Sequence, residues 1–259
     1  MSRVICVASG KGGAGKTTGV ANIGIALSEL GEKVLVIDAD IAMANLSLIL
    51  GMQSSPITLH EVLLDEATVS DAIYEGPKGI SIMPSGLSIE SYQKADSSRL
   101  KEVINDLKDE YSFILIDAPA GIEKNVISAM VAAEQTIIVL TPDTPSLADA
   151  LKTKMIAQKS GAKPIGVIIN FVGMEKGEIT TDKIVKLLEL PSYGSVPFDI
   201  EVRKTFIDGK NKPIILRNPN NRASKAFKEI ALRITGKATE EKKEKKSFFA
   251  SIFEIFKRR

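Results

Sequence analysis

The sequence predicts an α/β fold with a doubly wound, mostly parallel β-sheet. Short runs rich in valine and isoleucine alternate along the chain with helical patterns, which is typical of strand–helix–strand units. A glycine-rich loop separates the first such run from the first helix. The 259 residues suit one large core, and 44% hydrophobic with 25% charged residues is an ordinary globular balance. Ligands of such sheets bind at the carboxyl ends of the strands.

Each predicted element has its own signal in the sequence. Most of the seven short β-branched runs bounded by turn residues are predicted to be buried strands: residues 3–8, 33–38, 79–84, 113–117, 136–141, 164–170 and 193–197. Helical patterns occupy five further segments: residues 16–30, 98–110, 146–160, 181–188 and 221–235. Asp96 offers a cap to the second helix, and Gly31 and Gly161 close two others.

We expect one domain, residues 1–236, followed by a flexible charged linker, residues 237–246, and a short terminal helix, residues 247–259. The single cysteine, Cys6, lies in the apolar first strand and is predicted to be a core residue. The chain has no C-x-x-C pair for zinc or an iron–sulfur cluster.

Targeting signals and charge indicate where the protein is located in the cell and which classes of partner it binds. The first strand begins almost at once, so no signal peptide is expected, and no apolar run approaches the ~20 residues that span a bilayer. These features predict a cytoplasmic protein and leave membrane-surface association open. Residues 236–259 carry eight Lys or Arg against four Glu, so the rest of the chain is slightly acidic. An acidic body argues against nucleic acid as a partner.

The glycine-rich loop fits G-x-x-x-x-G-K-[ST] from Gly10 to Thr17 and lies between a strand and a helix, as a phosphate-binding P-loop requires. Its backbone N–H groups and the helix N-terminus attract phosphate. Lys16 is expected to reach the β- and γ-phosphates, and Thr17 to hold Mg²⁺. The alternative is a purely structural turn. The predicted phosphate-binding residues are Gly12, Gly13, Ala14, Gly15, Lys16, Thr17 and Thr18.

Lys11 is a second lysine that holding phosphate does not require. The run from Lys11 to Thr17 resembles the loop K-G-G-x-G-K-[ST] of the deviant-Walker-A ATPases, the MinD/ParA family. The resemblance implies a P-loop NTPase fold of the SIMIBI type and a homodimer that sandwiches two ATP molecules. It also implies that Lys11 crosses to the partner's nucleotide, as an arginine finger would. The alternative is a solvated loop charge.

Two acids follow the second strand. Asp38 and Asp40, with Asn45 further on, resemble the switch I segment of the family. Strand alternation puts the two acids on the same side. By resemblance, Asp40 orients the attacking water, Asp38 helps to hold Mg²⁺ and Asn45 contacts the partner's site. Ala42 and Met43 replace the usual Gly-Leu, a departure from the family pattern that affects the shape of the loop. Alone, Asp38 could also be an N-capping acid.

A further acid ends the apolar run 113–117. Asp117 begins D-x-P-x-G, which resembles the Walker B and switch II pattern of the family, and the match continues to Glu123. An acid at this strand end lies beside Mg²⁺ through water. Gly121 is expected to approach the γ-phosphate with its backbone.

The base is expected to be adenine. Guanine-specific N-K-x-D is missing, because the pair Asn211-Lys212 continues with Pro213. Asn170 resembles the adenine-contacting asparagine of the family, although asparagine is also an ordinary turn residue at a strand end. Similarly, the segment Pro197, Phe198 and Asp199 resembles the loop that closes over the base in the family.

The terminal segment is amphipathic if helical. At roughly 100° per residue, its apolar side chains fall within a sector of about 160°, and Ser251 and Glu254 lie opposite. Such a helix with basic flanks is typical of an in-plane anchor on anionic lipid. A helix that docks in a protein groove, or folds back on the domain, is the alternative. The predicted membrane contacts are Phe248, Phe249, Ile252, Phe253, Ile255, Phe256, Lys257 and Arg258.

Within the family, the MinD branch ends in such a helix and the DNA-segregating ParA branch does not. The resemblance therefore implies ATP-dependent dimerisation and membrane binding, with hydrolysis releasing the protein from the membrane. The implied use is positioning of a division site, motility apparatus or other polar assembly, with an unidentified activator or cargo. The alternatives are a ParA-like DNA-positioning ATPase, a P-loop enzyme that phosphorylates a small metabolite, and a scaffold with vestigial hydrolysis.

Overall fold

The structure, a computed structural model, describes residues 2–40, 45–52, 55–86, 96–204 and 212–237. Within these ranges, eight strands form a single sheet with helices on both faces. The strands are β1 Arg3–Ser9, β2 Val34–Asp38, β3 Tyr74–Glu75, β4 Ser81–Met83, β5 Phe113–Ala120, β6 Gln135–Leu140, β7 Lys163–Val172 and β8 Ser192–Pro197.

The strand order is β3-β4-β2-β5-β1-β6-β7-β8. Every neighbouring pair is parallel except β3 and β4, which are antiparallel. The predicted α/β class and mostly parallel sheet are confirmed, and the sheet is mixed because of this edge pair. Strand β3 was not predicted, because two residues are too few to show an alternating pattern.

The helices cover both faces of the sheet. They are α1 Lys16–Glu29, α2 Leu46–Ile49, α3 Leu59–Leu63, α4 Leu100–Leu107, α5 Lys124–Ala133, α6 Thr144–Lys159, α7 Thr181–Leu188, α8 Ile200–Lys204, α9 Ile214–Arg217 and α10 Arg222–Thr235. Short 3₁₀ turns lie at Ser70–Ala72, Pro77–Gly79 and Ser97–Arg99.

All five predicted helices are present with small shifts at their ends. The Asp96 side chain accepts a hydrogen bond from the Ser98 N–H at 3.1 Å, so the predicted cap is confirmed, although it begins a 3₁₀ turn that leads into α4. Gly31 and Gly161 have φ of +85° and +84°, as helix-closing glycines should. The helices that the sequence analysis missed are α5 and the four- to five-residue α2, α3, α8 and α9.

Alternating residues of the central strand β1 pack against different helices. Ile5 and Val7 belong to a cluster with α1, α9 and α10, whereas Val4, Cys6 and Ala8 belong to one with α3, α4 and α5. A third cluster joins β6 and β7 to α6 and α7. Cys6 is fully buried, as predicted, and burial raises the pKa of its thiol. This packing fixes the strand ends that carry the predicted site.

The last described residues lie at the amino ends of the strands. The Arg3 guanidinium, at the start of β1, donates to the Ile234 carbonyl in α10. Lys237 pairs with Glu32 just before β2, with 2.9 Å between Nζ and Oε1. None of the helices described here is long and apolar enough to cross a membrane. Residues 238–259, with most of the predicted linker and the predicted terminal helix, lie outside the described residues, so the domain boundaries stay predictions.

Candidate nucleotide site

The P-loop joins β1 to α1 at the carboxyl ends of the strands, where ligands of parallel sheets bind. Gly15 begins the helix with φ of +93°, and a Cβ there would lie 2.1 Å from Asn170 Nδ2. A Cβ on Gly10 would lie 2.7 Å from the Cβ of Asp149 in α6. Only glycine fits these two positions: the left-handed backbone and the close neighbour exclude a side chain at Gly15, and the close neighbour alone excludes one at Gly10.

The two lysines of the loop have opposite environments. Lys16 is 7% exposed, and its Nζ donates to Ser9 Oγ at 3.4 Å. Lys11 is exposed, and its carbonyl accepts a hydrogen bond from Ser9 Oγ at 2.6 Å. The N-cap of α1, Gly15, has no side chain to cap the helix, and the first turn carries no acid, so the helix N-terminus presents positive potential to an anion.

Asp38 and Asp117 are buried opposite each other, in register on β2 and β5. Asp38 Oδ1 accepts the Asp40 N–H at 3.1 Å. Its Oδ2 accepts the N–H groups of Asn45 and Leu46, each at 3.1 Å, at the start of α2. Asp38 therefore holds the start of α2 from the end of β2, but it is not the N-cap residue of this helix, which is Asn45. Asp40 is half-buried and Asn45 is exposed, so both lie nearer the surface than the buried pair.

Burial raises the pKa of both inner carboxyls. The pKa of Asp117 rises to about 7, because burial and the charge of Asp40 outweigh the opposing effects of the Thr17 hydroxyl and Lys16. The pKa of Asp38 lies well above its usual range, first because of burial and then because of Asp117. Two neighbouring buried acids favour a cation beside them, since a cation would stabilise their charged forms.

The same residues fit magnesium. Asp117 Oδ1 is buried and has no hydrogen-bond partner among the described residues. An unpaired buried carboxylate oxygen is costly, and a metal-bound water beside it would remove that cost. No cluster of three or more His, Cys, Asp or Glu within the described ranges could hold a metal by itself. Mg²⁺ needs none, because it binds through one or two protein groups together with phosphate oxygens and water.

Gly121 lies beside the P-loop. It follows β5 with φ of +94°, and its N–H donates to the Ser9 carbonyl at 3.2 Å. The N–H that is expected to approach the γ-phosphate is thus held at the base of the P-loop in this structure.

Asn170 connects the P-loop to a small, mostly apolar cavity. It is 6% exposed near the carboxyl end of β7, and its Nδ2 donates to the Ala14 carbonyl at 2.8 Å. The cavity has a volume of about 60 Å³ and lies between α1, β7, β8, α8 and α10. It is lined by Thr18, Asn170, Phe171, Val196, Pro197, Asp199, Val202, Arg203 and Phe227.

Three of the four residues predicted at the base, Asn170, Pro197 and Asp199, line this cavity. Phe198 does not. Its ring meets that of Phe171 edge to face, with centroids 6.1 Å apart, and so supports the wall from behind. The contributions of α8 and α10 were not predicted, because no local motif marks these elements as neighbours of Asn170.

A larger cavity of about 470 Å³ lies on the exposed side of the P-loop. Lys11 lines it, together with residues 141–144 and 174–179 from the loops that follow β6 and β7. The Glu178 carboxylate orders the second loop by accepting the N–H groups of Gly173, Met174 and Glu175. The sequence analysis did not identify these loops.

Comparisons with known proteins agree with this geometry. A family model described as an AAA domain matches residues 2–158. An uncharacterised ATP-binding protein of Methanocaldococcus jannaschii is 42% identical, and the match spans 100% of this chain and 98% of the relative.

Two solved structures extend the comparison. The septum site-determining protein MinD of Pyrococcus horikoshii, complexed with Mg-ADP, is 39% identical with a TM-score of 0.86, covering 90% of this chain and 96% of that one. MinD of Aquifex aeolicus, in its MinC:MinD complex, is 30% identical with a TM-score of 0.81, covering 91% and 96%. With the P-loop and buried acids described above, these matches show that the chain belongs to the MinD/ParA family of ATP-binding P-loop ATPases.

Proposed function

We propose that this protein is a MinD-type ATPase that dimerises and binds membrane with ATP and is released by hydrolysis. The observation that carries the proposal is the contrast between the two P-loop lysines: Lys16 is buried in its own loop and Lys11 is exposed beside it. One lysine serves the phosphates of its own site. The other is free to reach the nucleotide of a second copy, where it offsets charge that develops in the transition state.

The proposed reaction is transfer of the γ-phosphoryl group of ATP to water. Water attacks the γ-phosphorus while the bond to the β–γ bridging oxygen breaks, and ADP and phosphate leave. Asp40 orients the water, and its half-exposed position beyond the buried acid pair suits this role. Asn45, exposed at the start of α2, contacts the partner's site.

Mg²⁺ would be held by Thr17, with Asp38 and Asp117 acting around it, and would offset phosphate charge. The raised pKa values of the two acids and the unpaired Asp117 Oδ1 support this assignment. Gly12 to Thr18 hold the phosphates through backbone and side-chain donors. The cavity next to Asn170 takes the adenine.

The membrane part of the proposal rests on the terminal segment 247–259 and on where the domain ends. Lys237 lies at the amino ends of the strands, whereas the nucleotide site lies at their carboxyl ends. A tail that leaves from this end can reach lipid without covering the site. One short helix binds weakly, and two on a dimer bind together with a gain in effective concentration. Membrane binding therefore follows ATP, and the protein is otherwise cytoplasmic.

A protein partner is part of the proposal, since the Aquifex relative was solved in a complex with MinC. We infer a protein activator or cargo for this chain, and positioning of a cellular assembly as its use. A metabolite-phosphorylating enzyme would need an acceptor for turnover. ATP hydrolysis with no added acceptor therefore favours the switch over that alternative.

Sedimentation with anionic liposomes tests the membrane proposal. Wild type is expected to sediment with ATP and Mg²⁺ but not with ADP. Ile252→Glu puts a charge in the centre of the apolar sector and should abolish binding, since burial of such a side chain contributes up to roughly 1.5–3 kcal/mol. Ser251→Glu is the matched control, because the same charge on the polar side should cause at most a small loss.

Higher salt should weaken lipid binding without eliminating it, since Lys257 and Arg258 contribute about 1 kcal/mol each near anionic lipid. Equal sedimentation of Ile252→Glu and wild type would show that the terminal segment docks elsewhere. The membrane proposal would also fail if wild type with ATP did not sediment with the liposomes.

A further inference from the structure

Asp199 lines the base cavity, but protein donors occupy both of its carboxylate oxygens. Oδ1 accepts the Glu201 N–H at 2.8 Å, in the first turn of α8. Oδ2 accepts the Asn221 side-chain Nδ2 at 2.8 Å. With a protein donor on each oxygen, the orientation of this carboxylate is fixed, and the carboxylate in turn fixes the positions of its two donors.

Asn221 has a structural role of its own. It is the N-cap of α10, where its Oδ1 accepts the Ala223 N–H at 2.7 Å. The Asp199–Asn221 hydrogen bond therefore links two helix starts, that of α8 and that of α10. Both residues are partly buried, and the bond involves a charged acceptor, which makes it stronger than a neutral pair.

Both linked helices supply residues to the wall of the cavity. Val202 and Arg203 come from α8, and Phe227 comes from α10, where it is 2% exposed. The helix α8 has only five residues and is marginal by itself, so its place depends on such links. The Arg217 side chain also donates to the Glu201 carbonyl and supports α8 from α9.

The far wall of the cavity is continuous with the phosphate site. Asn170 bonds the P-loop at Ala14 and lines the cavity, and Thr18 follows the P-loop directly. Asn22 fixes this region, since its Nδ2 donates to the Thr18 carbonyl at 2.8 Å and its Oδ1 accepts the Ile215 N–H at 3.1 Å. A ligand with its phosphates on the P-loop would extend its flat, weakly polar end into this cavity.

We propose that Asp199 is a positioning residue that, through its hydrogen bond to Asn221, holds α8 so that Val202 and Arg203 close on the base of the bound nucleotide. This inference rests on the ATP binding in the proposed function and replaces direct base contact by Asp199. Part of the affinity for the base then depends on a hydrogen bond within the protein, the one between Asp199 and Asn221.

Exchange of the two partners tests the proposal. Asp199→Asn keeps the shape of the side chain but must lose one of its two bonds, because an amide offers one acceptor oxygen where the carboxylate offers two. Asn221→Asp keeps the helix cap but sets two carboxylates face to face. In the double variant Asp199→Asn with Asn221→Asp, the amide at position 199 can donate to the carboxylate at position 221, so the hydrogen bond forms again in the opposite direction. Titration with Mg–ADP and Mg–pyrophosphate separates the base from the phosphates, and neither probe requires dimers or membrane.

We expect each single variant to bind ADP about tenfold more weakly, an effect of the size of one charged hydrogen bond, and to bind pyrophosphate as wild type does. The double variant should recover most of the ADP affinity. The matched control is Asp71→Asn, which alters an exposed carboxylate that also accepts a backbone N–H and a hydroxyl, before β3 and away from the cavity. It should leave both affinities unchanged.

Three results would overturn the proposal. They are unchanged ADP affinity in Asp199→Asn, equal losses for ADP and pyrophosphate, and failure of the double variant to recover ADP binding. Pyrophosphate binding also reports whether each variant is folded. Failure of ATP-dependent dimerisation or lipid binding would affect the proposed function only, because both probes act on a single copy without lipid.

Discussion

The phosphate end and the base end of the site are built in opposite ways. At the phosphate end, one loop of consecutive residues meets two buried acids, Asp38 and Asp117, whose raised pKa values reflect charge held away from water. At the base end, a mostly apolar cavity is lined by residues of five separate elements, and hydrogen bonds such as that of Asp199 to Asn221 hold these elements together. Binding at the phosphate end therefore depends mainly on charge, and binding at the base end depends mainly on packing.

Loss of the buried lysine should have the largest effect. Lys16→Ala removes the cation closest to the predicted phosphates, so nucleotide affinity should fall at least about a hundredfold, as expected for loss of charged hydrogen bonds. Lys11→Ala changes an exposed lysine in the same loop and should retain most of the affinity for ADP. Titration calorimetry with Mg–ADP measures both variants. Equal ADP affinities in the two variants would contradict the claim that Lys16, but not Lys11, binds the phosphates of its own site.

The acid nearer the surface should affect chemistry more than binding. Asp40→Asn removes the group that orients water, so ATP turnover is expected to fall about 10²–10⁴-fold while ADP affinity changes little. Phosphate release under saturating ATP measures turnover, and Asp71→Asn serves as the control for an acid-to-amide change elsewhere. A variant that turns over at the parental rate would exclude Asp40 from the reaction.

The smallest expected effect concerns pH and His60, which is buried in α3 beside β4. Its Nδ1 accepts the Gly86 N–H at 2.6 Å, and Nε2 has no hydrogen-bond partner among the described residues. Burial lowers the pKa of His60 from its ordinary 6.5. The unfolded chain therefore takes up the proton first as pH falls, so stability is complete above pH 6.5 and declines below it.

The decline can reach about 1.4 kcal/mol per pH unit until His60 in the folded protein also protonates. Denaturant unfolding at pH 7 and pH 5 measures it. His60→Asn keeps an acceptor near Gly86 without a titrating group, so its stability should depend less on pH. If the variant and wild type lose equal stability on acidification, other groups cause the pH dependence.

The same contrast explains what could be predicted from sequence. The phosphate end is readable because the P-loop is contiguous and because Asp38 and Asp117 each end an apolar run, so local patterns name the residues. Val202, Arg203 and Phe227 carry no such pattern, because only the folded sheet brings α8 and α10 together at Asn170. Helix α5 had an apolar pattern, with Val126, Ala129 and Met130 buried, but it was not identified.

The role of Asp38 shows a second limit. Its position at the end of β2 indicated either a metal-site acid or a capping acid, and in the structure its fully buried carboxylate accepts the N–H groups of Asn45 and Leu46 at the start of α2. Sequence spacing cannot distinguish these roles, because one carboxylate can hold a loop and face a cation through the same oxygens.

The central claim is that ATP joins two copies through Lys11, and a measurement of mass in solution with ATP and Mg²⁺ tests it most directly. Asp40→Asn, with hydrolysis slowed, should be found at twice the monomer mass with ATP and at the monomer mass with ADP. Adding Lys11→Ala to this variant should return it to the monomer mass while ATP still binds. A double variant that dimerises as well as Asp40→Asn would contradict the claim that Lys11 acts across the dimer.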